Sequence, residues 1–157
     1  MDLEASFRTL GPRLYRYALA ILASSADAEE AVQDAFVSLA EARTPPREEA
    51  RWLVRAVRNG AYKRLGRSRR RLELLRQGAP LLVPRESGDP VDADMARKAS
   101  EALGKLPVEQ REAVALHLFE GLSFREIGEM TEVPEDTAAS RYRYGIEKMR
   151  EVLDERS

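Results

Sequence analysis

Cysteine is absent from the 157-residue chain, and His117 is the only histidine. Disulfides and thiol chemistry are thereby excluded, and zinc sites built on Cys or His nearly so. No apolar run approaches the roughly 20 residues that span a bilayer, and the amino terminus, MDLEASFR, lacks the basic-then-apolar order of a signal peptide. The expectation is a cytoplasmic protein whose membrane contacts, if it has them, run through a partner. Glu30 and Asp34 stand four apart on a predicted helix, but no second acidic pair or histidine lies near them in sequence to complete a metal site. No metal or cofactor is expected. A single large core is also disfavoured, because charged residues make up 34% of the chain; two small helical domains fit better.

What is present is charge, unevenly distributed. The formal net charge is -1, yet residues 51–71 hold 9 basic side chains and no acidic one, whereas 1–50 hold 5 basic and 9 acidic. Phosphate affinity follows the local patch rather than the total. Within that basic segment Ala50, Leu53, Val54, Val57, Ala61 and Leu65 make the buried face of a helix from about Arg47 to Arg70, and Arg51, Arg55, Arg58 and Tyr62 form a separate stripe at intervals of three and four. Arginines that neutralise phosphates and a tyrosine able to stack on a base suit nucleic acid; an exposed, highly charged helix end is the plainer alternative.

The carboxy-terminal stretch carries a second pattern. Ser123 and Glu126 have capping-box spacing, and a short helix from about Ser123 ends near Thr131, because Val133-Pro134 forces an extended residue and Pro134 suits the start of a second helix. In that second helix Ala138, Tyr142, Ile146, Met149 and Leu153 share one face and leave Thr137, Ser140, Arg141, Tyr144 and Lys148 on others, with Arg143 a further basic group. Spacing alone fits both a helix-turn-helix and an ordinary helical hairpin. The succession LPxEQRE (106–112), EGLSxxEI (120–127) and VPxxTxxSR (133–141) resembles region 4 of the bacterial sigma-70 family, which reads the promoter's -35 element. On that resemblance Ser123, Thr137, Ser140, Arg141, Arg143, Tyr144 and Lys148 are -35 contacts.

Upstream, Phe7, Leu10, Leu14, Tyr17, Ala18 and Ile21 form the apolar face of a first helix whose Arg8, Arg13 and Arg16 read as a solvated face. A second helix opens at Asp27-Ala28-Glu29-Glu30 and turns Ala28, Val32, Ala35, Phe36 and Leu39 inward. YRYALAILASSADAEEAVQDAFVSL is similar to sigma regions 2.1–2.2, and RWLVRAVRNGAYKRLGRSRRR to regions 2.3–2.4 of the extracytoplasmic-function (ECF) members. The resemblance implies that Asp27, Glu30, Gln33 and Asp34 dock on core RNA polymerase. It also implies that Arg43, Arg47, Arg51, Arg55, Arg58, Asn59, Tyr62, Lys63 and Arg67 bind the -10 element, with capture of a flipped base offsetting unstacking. Trp52 reads as core rather than wedge.

Taken together, an all-α chain is expected: a sigma region 2 module of three to four helices over 1–76, a flexible acidic Pro/Gly-rich linker over 77–94, and a region 4 helix-turn-helix module over 95–157, entered by a helix from Ala93 or Asp94. The implied partners are core RNA polymerase, at its β′ clamp and β flap, promoter DNA, and an anti-sigma factor; the implied role is not enzymatic. Two rivals fit the residues: a helix-turn-helix regulator independent of polymerase, and a sigma-like protein that titrates an anti-sigma factor. Ala139 stands where the family commonly has lysine, and Glu132, Glu135 and Asp136 crowd the amino end of the recognition helix. A fragment of residues 95–157 is therefore expected to bind promoter DNA no better than the non-specific range of about 10⁻⁴–10⁻⁶ M; nanomolar, sequence-specific binding in a gel-shift titration would contradict this.

Overall fold

The computed structural model describes residues 2–66 and 90–155, with side chains from Arg97 onward in the second stretch. Seven helices account for almost all of it: α1 Leu3–Leu22, α2 Ser25–Glu41, α3 Glu49–Gly66, α4 Pro90–Gly104, α5 Val108–Leu118, α6 Phe124–Thr131 and α7 Glu135–Glu155. No strand occurs among the described residues. Arg67, the basic run after it and most of the expected linker lie outside them, and α4 begins at Pro90, ahead of the Ala93 or Asp94 read from periodicity. A proline suits a first helical turn, where its missing N–H has no helical partner to lose.

The amino-terminal module is a three-helix bundle in which α1, α2 and α3 pack pairwise. Asp2 and Ser24 start α1 and α2 by accepting the backbone N–H of Ala5 and Asp27, at 3.1 Å and 3.3 Å. Leu14, Ile21, Leu39, Leu53 and Val57 are buried at the centre. Phe7, expected inward, is 47% exposed and lies edge-on to Phe36 at 5.0 Å. Trp52, read as core, is only half-buried and packs against the core from its rim.

In the carboxy-terminal module α4, α5 and α6 all pack on α7. The capping box is formed in full: Ser123 Oγ accepts the Glu126 N–H at 3.1 Å, and Glu126 Oε1 accepts the Ser123 N–H at 3.0 Å. The sole histidine is a packing group, stacked on Phe124 at 4.7 Å and edge-on to Tyr142 at 4.6 Å. α6 ends at Glu132, which takes a left-handed φ of 60° with no glycine to ease it, a conformation that costs roughly 1–2 kcal/mol for an L-residue. Leu118 is 55% exposed.

Two glycines set how close the helices come. A Cβ at Gly145 would lie 2.9 Å from Val114 Cγ2, so α7 approaches α5 to a distance only glycine permits. A Cβ at Gly128 would meet the Val133 carbonyl oxygen at 2.7 Å, inside the turn joining α6 to α7. Gly128→Ala is therefore expected to destabilise the protein by about 1–3 kcal/mol in urea unfolding. A loss below about 0.5 kcal/mol, the usual scale for an inconsequential substitution, would mean that the turn yields.

Candidate nucleic-acid interface

The two modules meet where α1 packs on α5, and side chains of the basic helix α3 reach α5 and α6 beside that contact, so its stripe divides into an open half and a covered half. At the amino-terminal end Pro46, Arg47, Glu48, Arg51, Trp52 and Arg55 line a groove of about 440 Å³. Arg43, Arg47, Arg55, Asn59 and Lys63 are exposed. Arg55 makes no ion pair among the described residues, so its guanidinium is available to a phosphate. Arg51 is shared between Glu48, at 3.4 Å, and Glu126 of the other module.

Further along, Arg58 and Tyr62 turn away from solvent toward Glu112 on α5. The Glu112 side chain is 2% exposed and accepts four hydrogen bonds. Tyr17 Oη donates to Oε2 at 2.7 Å, Tyr62 Oη to Oε1 at 2.9 Å, and Arg58 forks across both oxygens at 2.7 Å and 3.3 Å. The Arg58 guanidinium also lies over the Tyr62 ring at 4.6 Å. Burial, and then the charge of Glu112, push both phenols well above their ordinary pKa, so both remain donors at neutral pH. For Arg58 burial works to lower the pKa, but the Glu112 bond and charge outweigh it and the net shift is upward. A carboxylate so deeply withdrawn from water is tolerable only with all its acceptor sites engaged.

A second set of contacts flanks this one. Arg13 of α1, read from sequence as solvated, is 2.9 Å from Glu120, whose side chain is 1% exposed. Arg111 is fully buried and donates to the carbonyl oxygens of Leu106, at 3.2 Å, and Ile21, at 3.5 Å. Burial lowers its pKa to about 10, which leaves it cationic at neutral pH. None of Tyr17, Arg13, Arg111, Glu112 and Glu120 was singled out for function from the sequence. The available signal was a pair of charges, Arg111 and Glu112, four residues before the inward-facing Ala115 and Leu116.

The acidic stripe of α2 lies on another side of the same bundle. Glu29, Glu30 and Gln33 are exposed, and Asp34 pairs with Arg64 of α3 at 2.6 Å. Asp27 sits in the capped first turn. Glu29 and Gln33 also border an apolar groove of about 500 Å³ between α1 and α2, lined by Phe7, Pro12, Tyr15 and Val32. On the recognition helix α7, Arg143, Tyr144 and Lys148 are exposed, and Thr137, Ser140 and Arg141 are half-buried. Arg143 donates to Ser140 Oγ at 3.3 Å, and Lys148 lies 3.8 Å from Glu151. Ser123 is committed to its capping box. Among the described residues no acidic or histidine group is arranged to hold a metal ion, and no helix is long and apolar enough to cross a membrane.

Comparison with known proteins matches both modules. Residues 7–71 match the family described as Sigma-70 region 2, and residues 96–149 match Sigma-70, region 4. The chain is 30% identical over 156 residues to the RNA polymerase sigma factor CarQ of Myxococcus xanthus, covering 97% of this chain and 89% of that one. It is 33% identical over 143 residues to the ECF RNA polymerase sigma factor SigM of Mycobacterium tuberculosis, covering 86% and 68%. The fold is also that of the Bartonella quintana sigma factor RpoE, solved in complex with the anti-sigma factor NepR, with a TM-score of 0.75 at 20% identity over 98% of this chain and 97% of that one.

The buried Glu120 carboxyl gives this interface a pH signature. Burial raises its pKa and Arg13 only partly offsets the rise. An acid whose folded pKa exceeds its unfolded value contributes stability that is complete below about pH 4.5 and is lost as pH rises through the folded pKa. Glu120→Gln should remove that contribution, so the stability difference between wild type and variant should shift in favour of wild type as pH falls from 7 toward about 4.5 in urea titrations. A difference constant with pH would show that Glu120 does not titrate in this way.

Proposed function

The chain belongs to the sigma-70 family, in its ECF branch, and directs promoter-specific initiation of transcription by core RNA polymerase; we propose the following division of labour among its surfaces. The α3 groove and the exposed cations beside it, Arg47, Arg55, Asn59 and Lys63, hold the -10 strand. Arg43 lies in the turn before them, and Arg51, Arg58 and Tyr62 join when their carboxylate partners leave. The observation that carries this reading is the groove itself, three arginines around the half-buried Trp52 and Pro46, a combination suited to a phosphate backbone and an unstacked base.

The stripe of Asp27, Glu30, Gln33 and Asp34 is the proposed face for core polymerase. It contains no basic residue, since α2 has none, and the apolar groove beside it can receive a hydrophobic side chain of the partner. In α7 the exposed Arg143, Tyr144 and Lys148 are the proposed -35 contacts, with Thr137, Ser140 and Arg141 nearer the helix packing. Glu135 and Asp136 stand in the first turn of that helix and would repel phosphate there, so the -35 contact works chiefly when polymerase tethers the module. Ser123 serves by starting α6. The role involves no catalysis by this chain, and its proposed location is the cytoplasm, where core polymerase is met.

Run-off transcription with purified core polymerase and a pool of upstream genomic fragments tests the reading. Wild type should yield a discrete, protein-dependent transcript. Arg55→Glu should reduce it at least tenfold, equivalent to about 1.4 kcal/mol, while leaving polymerase co-purification unchanged. Glu30→Arg, at an exposed position with no ion pair to break among the described residues, should weaken co-purification. Polymerase binding without any transcript would favour a titrating interaction protein, and no polymerase binding would favour a free-standing DNA-binding regulator.

A further inference from the structure

Carboxylates at the amino end of α7 are out of place on a helix that meets phosphates, yet one of them stands where a base edge would be read. The helix rests on its module through Ala138, which is fully buried. Asp136, two residues earlier, lies about 200° around the helix from Ala138. It is exposed and makes no hydrogen bond or ion pair among the described residues. Asp136, Ser140 and Arg143 follow one another at spacings of four and three and form a single stripe turned away from the core. Arg143 donates to Ser140 Oγ at 3.3 Å, which lays its side chain back along that stripe toward Asp136.

We infer that Asp136 is a specificity-determining residue of the -35 contact: its carboxylate accepts the exocyclic amino hydrogen of a cytosine in the major groove. The inference rests on the reading that α7 meets the -35 duplex.

Position is the first argument. In helix-turn-helix docking the amino-terminal residues of the second helix are the ones that reach base edges, and Asp136 stands in the first turn of α7. Chemistry is the second. A carboxylate can only accept, and so can phosphate oxygens, guanine O6 and N7, and thymine O4; the donors in the major groove are the amino groups of cytosine and adenine. Adenine sets its N7 acceptor beside that amino group, against the second carboxylate oxygen, whereas cytosine has only a C–H there. The same side chain therefore lowers affinity for DNA at large and raises discrimination between sequences. Glu135 has the charge without the position. It lies about 100° away from Asp136, on the flank where its backbone packs over Gly128 of α6.

The test is selection from a promoter library randomised across the -35 region, bound by the full chain with core polymerase and sequenced before and after. Wild type should enrich cytosine at one position by at least about fivefold, the lower end of the usual cost of a mismatched pair. Asp136→Ala should abolish the preference at that position alone. Glu135→Gln removes a charge from the same turn and should tighten binding to all sequences alike, with the preference left in place. A further measurement needs no protein variant: the selected cytosine is replaced by the pyrimidinone analogue that lacks the exocyclic amino group. Wild type should then lose at least about fivefold in affinity, and Asp136→Ala should be indifferent to the replacement.

A cytosine preference that survives Asp136→Ala, or that Glu135→Gln also removes, would overturn the proposal. So would a gain in Asp136→Ala that is uniform across the library, since Asp136 would then only repel phosphate, or wild-type binding that ignores the missing amino group. No enrichment at any position in wild type, with transcription intact, would take down the -35 reading of α7 itself, a different result from a preference that does not depend on Asp136.

Discussion

A carboxylate withdrawn from water must be answered by donors, and in this chain the answer to Glu112 comes from two other helices. Tyr17 reaches it from α1, Arg58 and Tyr62 from α3, and the carboxylate itself rides on α5. No subset suffices, because an unanswered lone pair at that depth costs about 1–3 kcal/mol and an unpaired charge more. The cluster thus acts as a register pin. Ion pairs in such places are poor sources of net stability, since desolvation consumes most of the Coulombic gain, but they penalise every packing that leaves one member alone.

The apolar core is of a different nature. Leu14, Ile21, Leu39, Leu53 and Val57 of the first module and Leu106, Val114, Leu116, Ile127 and Ala138 of the second belong to one continuous buried cluster. Apolar burial therefore runs from one module into the other, and the polar cluster around Glu112 sits beside it. The positive field of α3 and the acidic side chains it faces explain how a chain with a formal net charge of -1 carries a nucleic-acid surface without broadcasting it.

Local features of this architecture were legible in the sequence. The capping box at Ser123 and Glu126, the break at Val133-Pro134, the inward face of α3 and its arginine stripe follow from interactions within four residues, which is the range over which helical periodicity and capping act. What escaped were contacts joining residues far apart in the chain. Tyr17 and Glu112 are 95 positions apart, and Arg58 and Glu112 are 54; no local pattern encodes such a meeting. Arg13 looked solvated because an arginine opposite an apolar face ordinarily is. The left-handed Glu132 escaped because glycine or asparagine is the usual mark of such a cap. Of the candidate site, the identity of the basic stripe was readable and its division into open and covered halves was not.

The ion pair between Asp34 and Arg64 has a mechanical meaning. Arg64 also donates to the Gly60 carbonyl oxygen of its own helix at 3.2 Å, and a Cβ at Gly60 would come within 3.9 Å of the Ala31 methyl, so the pair bridges α2 and α3 where they are in contact. Two helices that pack on each other and on α1 behave as a gauge block: the angle between the acidic face of one and the basic face of the other is built into the bundle, not negotiated at each encounter. Once a large partner grips the acidic face, the direction in which the arginines point is already decided, and alignment with the strand is inherited from the grip.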